Sequence, residues 1–237
     1  QISNIMELFY NEQIDNQTKV FKLEGEEHIH IKKVLRKKEG QIVKFSNGNS
    51  YCFVAKIISI LEKESNFEII SKTKFDAPPF LHVGISLLKS QTRFEIFLEK
   101  AVEIGVSEIT PLICERSQKK NMNIKRSKKI LISALKQSHK YYLPKLNEPQ
   151  NFKSFVKKNK EENKLIATCE DYQKKEIIKL YNTKKNNLIM IGPEGDFTIN
   201  ELEIAKSENF QFVTLGKTRL RAETAGIMAC AIFSMIK

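Results

Sequence analysis

The sequence predicts a two-domain α/β protein, in which a small β-rich domain precedes a larger domain built on a mainly parallel sheet. Residues up to about 75 carry four runs of β-branched and aromatic residues. The stretch Asp76-Ala77-Pro78-Pro79 then interrupts the chain, because paired prolines restrict the backbone and remove hydrogen-bond donors. Beyond it, apolar runs alternate with helical patterns. We therefore place the domains at residues 1–75 and 80–237.

The first domain is predicted to be a small β-barrel with one helix. Asn47-Gly48, between two of the runs, predicts a hairpin. Ile31, Val34 and Leu35 recur at helical spacing, and Gly40 follows as a stop, so we expect a helix from about Glu26 to Lys38. The strands are expected at Thr18 to Leu23, Gln41 to Ser46, Tyr51 to Ile60 and Phe67 to Ser71.

The second domain begins with a strand, a helix, a strand and a further helix. The first helix is well marked, because Thr92 and Glu95 have the spacing of a capping box and Gly105 follows as a stop. These four elements are expected at Leu81 to Leu88, Thr92 to Ile104, Glu108 to Cys114 and Asn123 to Tyr142.

Three further strands follow, at Lys164 to Thr168, Asn187 to Ile191 and Gln211 to Leu215. Each is succeeded by a loop and a helical pattern. The loops therefore fall at the carboxyl ends of strands, where α/β proteins bind their ligands. The last helix, Gly226 to Ile236, is apolar all round and is predicted to be buried.

Composition indicates a folded protein and excludes several classes. At 237 residues and 41% hydrophobic residues, the chain can build a real core, and no run approaches a membrane span. The first ten residues lack the pattern of a signal peptide, so we expect a soluble, cytoplasmic protein. A separate expectation is that Gln1 to Ile5 are not native and that Met6 is the natural start. The cysteines and histidines form no Cys-x-x-Cys or zinc pattern, so neither disulfides nor a metal site are expected.

The net charge of +12 is concentrated in one segment. Glu115 to Lys160 carries 14 Lys and Arg against Glu115 and Glu148, which leaves the rest of the chain neutral. A localised basic block favours a phosphate-rich partner, because neutralising phosphates releases condensed counterions. The alternative is a lysine-rich solvated face. Only six of the forty basic residues are arginine, and these are the better candidates for bidentate contacts.

Two loops near the C-terminus carry the chemistry. Gly192-Pro193-Glu194-Gly195-Asp196-Phe197 follows a buried strand, and its glycines allow close approach of a ligand to the backbone. It matches neither a dinucleotide-binding nor a P-loop pattern. The second loop, Leu215 to Ala225, carries Arg219 and Arg221 on either side of Leu220. Glu223 and Thr224 lie where helix caps are common, whereas caps do not require the two arginines.

GPEGDF and LGKTRLRAETA together resemble the two C-terminal motifs of the RsmE family of 16S ribosomal RNA uridine-N3 methyltransferases, in the SPOUT superfamily. The likeness covers nearly the whole chain. It includes His30 with Val34-Leu35-Arg36 and Gly40, Lys89 with the segment Glu99 to Val106, and Gln137-Ser138 with Pro144.

The resemblance implies a PUA-like RNA-binding barrel, a C-terminal domain knotted as a trefoil, S-adenosyl-L-methionine as cofactor, and a homodimer. It implies 16S ribosomal RNA within the small subunit as the partner, no membrane, and uridine 1498 in ribosomal RNA numbering as the target. We assign catalysis to Arg221 and Glu223. Expected to bind the cofactor are Thr168, Ile191, Gly192, Pro193, Glu194, Gly195, Leu215, Gly216, Leu220, Thr224 and Ala225. Expected to bind RNA are His30, Arg36, Lys89, Arg93, Arg116, Lys119, Lys120, Lys140 and Arg219.

The chain departs from the family pattern at several positions. Asp196 replaces a glycine, Lys140 replaces an arginine, and Arg219 directly precedes Leu220 where the family has isoleucine. The arginine that the family carries near Leu8 and Phe9 is absent. Lysine at 140 retains charge and loses the planar fork, so phosphate binding there is compatible with the change and bidentate contact is not.

Two other functions fit parts of the sequence. A non-catalytic RNA-binding or ribosome-assembly protein would explain the β-rich start and the basic block, but not the two ligand-type loops. A methyltransferase of the same fold acting on transfer RNA, another ribosomal site or a ribose hydroxyl would explain all of them. Binding of the cofactor would distinguish an enzyme from a non-catalytic protein. Two roles stay open for Glu223 and Glu194: each is either a proton acceptor or a residue that holds an amide or an arginine in place.

Overall fold

The computed structural model describes residues 7–236. The expectation that Met6 is the natural start lies outside this range. The chain forms two compact units. The first comprises the described residues up to Ala77 together with Leu135–Leu143, and the second comprises Pro78–Ala134 and Pro144 onwards.

The first unit is a five-stranded sheet of order β1-β3-β4-β5-β2, parallel between β1 and β3 and antiparallel elsewhere. The predicted hairpin at Asn47-Gly48 is confirmed, with Gly48 and Ser50 both at positive φ. Phe9, Phe45, Phe53 and Phe67 fill the core. The strands are β1 Leu8–Tyr10, β2 Val20–Glu24, β3 Ile42–Ser46, β4 Tyr51–Ile60 and β5 Glu64–Lys74.

The helix of the first unit is shorter than predicted. Helix α1, Gly25–Ile29, continues as one π-helical turn, His30–Val34, and does not reach Lys38. Arg36 lies at φ 49, in the left-handed region, and a residue in that conformation ends a right-handed helix. Ile31 is fully buried, so the apolar spacing indicated the right face.

The second unit is built on an eight-stranded sheet in which every paired strand is parallel. The order β11-β13-β10-β12-β6-β7-β8, with β9 also beside β7, confirms the predicted α/β class. The trefoil knot stays a prediction. The strands are β6 Leu81–Ser86, β7 Glu108–Ile113, β8 Lys145–Leu146, β9 Gln150–Asn151, β10 Asn163–Ala167, β11 Lys175–Glu176, β12 Asn187–Ile191 and β13 Gln211–Thr214.

Five helices accompany this sheet, and two details of the prediction were wrong. The cap of the first is Ser90, whose hydroxyl accepts from the Arg93 amide, so Thr92 and Glu95 form no capping box. The second ends at Gln137, not Tyr142, and His139 just beyond it lies at φ 52. The helices are α2 Gln91–Ile104, α3 Ile124–Gln137, α4 Phe152–Lys158, α5 Ile199–Ser207 and α6 Ala222–Ser234.

The sequence also misjudged the segments around β10 and the last helix. A short strand and a single 3₁₀ turn, Ile177–Lys179, follow β10 where a helical pattern was predicted. Helix α6 packs so closely on α2 that a Cβ at Gly226 would lie 2.8 Å from the Phe97 ring. Its outer face is nevertheless exposed, since Met228 is 39% accessible, so the expectation of burial all round was wrong for the single chain.

Candidate functional site

A cavity of about 580 Å³ opens at the carboxyl ends of β10, β12 and β13. Three loops form its walls, one following each strand. Nine of the residues predicted to bind a cofactor line it, together with Arg219 and Arg221. These nine are Thr168, Ile191, Gly192, Pro193, Glu194, Leu215, Gly216, Leu220 and Ala225.

Two predicted cofactor residues, Gly195 and Thr224, are not among the lining residues. The carbonyl of Gly195 instead accepts a hydrogen bond from Arg116 Nη1 at 2.6 Å. Thr224 is exposed in the first turn of α6. Arg116, predicted to bind RNA, therefore holds the backbone of the loop after β12.

The loop after β13 takes its shape from Gly216, which lies at φ 146. Thr214 Oγ1 donates to the Gly216 carbonyl at 2.8 Å and accepts from its amide at 3.3 Å. No atom lies within 4 Å of where a Gly216 Cβ would be, so the backbone conformation, not crowding, favours glycine here.

Nine lining residues were not among the predicted site residues: Ala167, Cys169, Lys174, Asp196, Val213, Thr214, Lys217, Thr218 and Ala222. Asp196 lies at φ 63 and is half-buried, and its carboxylate accepts hydrogen bonds from the Thr168 hydroxyl and the Cys169 amide. Aspartate directly after a glycine in a turn was the available signal, because Asp tolerates the left-handed region better than most residues.

Arg221 precedes α6 and faces the cavity. Its guanidinium is exposed and has no hydrogen bond or ion pair to any residue in the range 7–236. The charged lining groups are Lys174, Lys217, Arg219 and Arg221 against Glu194 and Asp196, an excess of two positive charges. The cavity thus presents unpaired cations at its rim and apolar side chains within.

Both candidate proton acceptors are engaged elsewhere. Glu223 is buried, and its Oε1 lies 3.6 Å from Arg93 Nε. Glu194 Oε1 accepts from the Lys89 amide at 3.1 Å. The geometry therefore supports the alternative in which each carboxylate holds an arginine or an amide in place.

The remaining RNA candidates of the second unit lie beyond the carboxyl end of β7. Lys120 is exposed and Lys119 is half-buried near Glu95. Arg126, which the prediction omitted, donates from Nε and Nη2 to the two oxygens of Glu95 at 2.6 and 2.9 Å. These hydrogen bonds lower the pKa of Glu95 to about 2.

Three RNA candidates lie in the first unit. His30 is exposed and meets the Phe9 ring edge-on at 6.2 Å. Arg36 is exposed beyond the π-turn, and Lys140 is half-buried.

A second cleft, of about 540 Å³, lies at the amino ends of β6 and β7. Buried His82 contacts Glu161 through Nδ1 and the Thr110 hydroxyl through Nε2, the latter at 2.7 Å. Asn147 Nδ2 donates to Thr110 Oγ1 and to Glu108, which pairs with Lys145 at 3.0 Å. We call these six residues the amino-end network. Burial raises the pKa of Glu161, but the interactions with His82 and the backbone hydrogen bonds together outweigh burial, so the pKa is lowered.

Comparison with known proteins identifies relatives of both units. A protein-family model described as an RNA methyltransferase domain matches residues 76–234. A second family model, described as an RNA methyltransferase PUA domain, matches residues 23–70. These matches confirm the predicted PUA-like domain and α/β domain. In the described residues, no helix is both long and apolar enough to cross a membrane.

Individual proteins resemble nearly the whole chain. Ribosomal RNA small subunit methyltransferase E of Rickettsia conorii is 30% identical, with 94% of this chain and 93% of that protein covered. Its counterpart in Mesomycoplasma hyopneumoniae is 33% identical, with 84% and 86% covered. The crystal structure of the Neisseria gonorrhoeae protein of that name, bound to S-adenosyl methionine, superposes with a TM-score of 0.86 at 27% identity, covering 95% of each chain.

Proposed function

The chain belongs to the family of the ribosomal RNA small subunit methyltransferases E, and on that premise we propose that it methylates N3 of a uridine in 16S ribosomal RNA. S-adenosyl-L-methionine is the methyl donor. The observation that carries the proposal is the convergence of three loops on one cavity. By resemblance, the target is uridine 1498 in ribosomal RNA numbering.

The cavity residues fit S-adenosyl-L-methionine. The volume of the cavity, about 580 Å³, lies within the range of roughly 300–1,000 Å³ that is typical of small-molecule sites. Ile191, Leu215, Leu220 and Ala225 offer apolar surface for an adenine, and the turns at Gly192 and Gly216 expose backbone groups. The unpaired cations at the rim suit the carboxylate of the amino-acid part.

The chemistry joins an activated methyl group to a weakly acidic nitrogen. S-adenosyl-L-methionine would supply the methyl group on a sulfonium, so that the carbon–sulfur bond breaks as the carbon–N3 bond forms, S-adenosyl-L-homocysteine is the leaving group, and the N3 proton passes to solvent water. Negative charge develops on the uracil oxygens as that proton is lost, and a positioned cation stabilises it. We assign this role to Arg221, because it lines the cavity and is unpaired in the described chain. Glu223 is then a positioning residue for Arg93.

The RNA is proposed to contact both units. In the first unit, the proposed RNA contacts are made by His30, Arg36 and Lys140. In the second unit, they are made by Lys89, Arg93, Lys119, Lys120 and Arg219. A folded target must be recognised by phosphate contacts and by exposure of one base, so the small subunit or a precursor is the expected partner. We propose a homodimer because Met228 on α6 and Met235, directly after it, are 39% and 79% exposed. The mass in solution tests it.

The test is mass spectrometry of ribosomal RNA from a strain that lacks the gene. We expect one N3-methyluridine of 16S RNA to disappear and to return with the wild-type gene. Loss of a methyl group from transfer RNA or from a ribose instead would indicate a different substrate. Calorimetry with S-adenosyl-L-methionine alone distinguishes an enzyme from a non-catalytic assembly protein, which would show no binding.

A further inference from the structure

Asp196 occupies a conformation that an L-residue rarely adopts. Its φ of 63 lies in the left-handed region, which typically destabilises a non-glycine residue by about 1 kcal/mol or more. Such a residue persists where its surroundings compensate. The compensation here comes from its carboxylate, which accepts three hydrogen bonds.

These hydrogen bonds join two loops of the cavity. Asp196 Oδ2 accepts from Thr168 Oγ1 at 3.0 Å and from the Cys169 amide at 2.6 Å, both in the loop after β10. Asp196 Oδ1 accepts from the Phe197 amide at 2.7 Å, within the loop after β12. One side chain therefore ties together loops that are 27 to 28 residues apart.

The chemistry of this position favours a carboxylate over its neutral amide. All three partners are donors, and an ionised carboxylate only accepts. The Thr168 hydroxyl is itself oriented, since it accepts from the Glu170 amide at 3.1 Å and so directs its proton toward Asp196. Asparagine would offer an amide nitrogen to one of these sites.

The carboxylate also packs against the cavity wall. A Cβ placed on Gly192 would lie 3.3 Å from Asp196 Oδ1 and 3.1 Å from the Phe197 ring. Gly192, Thr168 and Asp196 all line the cavity, so the position of the carboxylate sets the separation of two of its three walls.

We propose that Asp196 is a positioning residue that fixes the loops after β10 and β12 before S-adenosyl-L-methionine binds. The inference rests on the proposed function. A wall held in its bound conformation spares the cofactor the loss of loop entropy on binding. Without this tie, the loop after β10 is free to move away from Gly192.

The test compares Asp196→Gly with Asp196→Asn and a matched control, Asp171→Asn, at an exposed aspartate two residues beyond Cys169. Glycine removes the tie but also relieves the strained φ, so the melting temperature should change by only a few degrees. For Asp196→Gly we expect calorimetry to show that the affinity for S-adenosyl-L-methionine falls by roughly 10-fold or more, because charge-assisted hydrogen bonds are lost. Asp196→Asn should lie between it and wild type, and Asp171→Asn should equal wild type.

Steady-state kinetics separates positioning from general damage. We expect KM for the cofactor to rise in Asp196→Gly while KM for the RNA stays within twofold. The double variant Thr168→Val with Asp196→Gly should weaken cofactor binding by less than the product of the two single effects. The reason is that both substitutions break the same hydrogen bond, between Thr168 Oγ1 and Asp196 Oδ2. Cofactor affinity within twofold of wild type in Asp196→Gly and Asp196→Asn overturns the inference. Failure of the wild-type protein to bind the cofactor overturns the proposed function instead.

Discussion

The two ends of the parallel sheet differ in whether their polar side chains have partners within the protein. At the carboxyl ends of β10, β12 and β13, Arg219 and Arg221 reach a cavity with no partner in the described chain. At the amino ends of β6 and β7, the groups of the amino-end network are paired with one another. Both ends form concave surfaces of similar volume, about 580 and 540 Å³.

The difference shows that pairing, not cavity size, marks the functional end. Buried polar groups that satisfy one another stabilise or specify the fold and leave nothing for a ligand. Exposed cations without a partner in the protein are solvated and remain free to pair with a ligand, so their position beside a cavity points to a ligand that accepts their hydrogen bonds. The amino-end network is therefore interpreted as structural and the carboxyl-end cavity as catalytic.

The largest expected effect comes from Arg221→Ala. If this arginine stabilises charge on the uracil, the single-turnover rate of methyl transfer should fall about 10²- to 10³-fold, as for loss of one preorganised donor. Affinity for S-adenosyl-L-methionine should stay within about twofold. Arg221→Lys should recover part of the rate, since it keeps the charge without the fork. An equal loss of cofactor affinity in calorimetry would assign Arg221 to the cofactor.

The functional end was largely predictable from the sequence, and the structural end was not. The GPEGDF and LGKTRLRAETA loops are contiguous, so nine lining residues followed from local patterns and the family resemblance. His82 appeared only as part of an apolar strand. Its partners are Thr110, 28 residues away, and Glu161, 79 residues away, and only the register of β6 against β7 brings Thr110 beside it.

Long-range contacts also determine what the candidate site residues touch at the functional end. Glu223 was predicted to be catalytic, but its neighbour Arg93 comes from α2, which no local pattern reveals. Arg116, which was predicted to bind RNA, donates a hydrogen bond to the Gly195 carbonyl, 79 residues away. Local patterns therefore indicated which charged residues to consider, whereas the partners of those residues depend on the tertiary fold.

The second effect tests the structural end. His82→Leu removes the side-chain partner of Glu161 and leaves a largely buried carboxylate with only backbone donors such as the Lys160 amide, which should lower the free energy of unfolding by about 2 to 4 kcal/mol at pH 7. Denaturant titration measures it. Cofactor affinity and methyl transfer by the folded variant should match wild type. A loss of transfer at unchanged stability would make the amino-end network functional.

The pH dependence of the free energy of unfolding gives a second test of the contact between His82 and Glu161. The pKa of Glu161 is lowered in the folded protein from its usual 4.5, so its ionised form stabilises the fold above that pH. This stabilisation is lost as the pH falls below about 4.5, through the folded-state pKa. His82→Leu should therefore differ from wild type more at pH 7 than at acidic pH. Glu161→Gln serves as the matched variant that cannot ionise.

The smallest expected effect concerns the basic block, whose alternative interpretation is a solvated face. Lys119→Glu with Lys120→Glu should lower the slope of log affinity for RNA against log salt by roughly two units if each lysine meets a phosphate. Lys206→Glu, exposed on α5, is the control for general charge and should leave the slope unchanged. An equal slope for wild type and the double variant would make these lysines ordinary solvated surface.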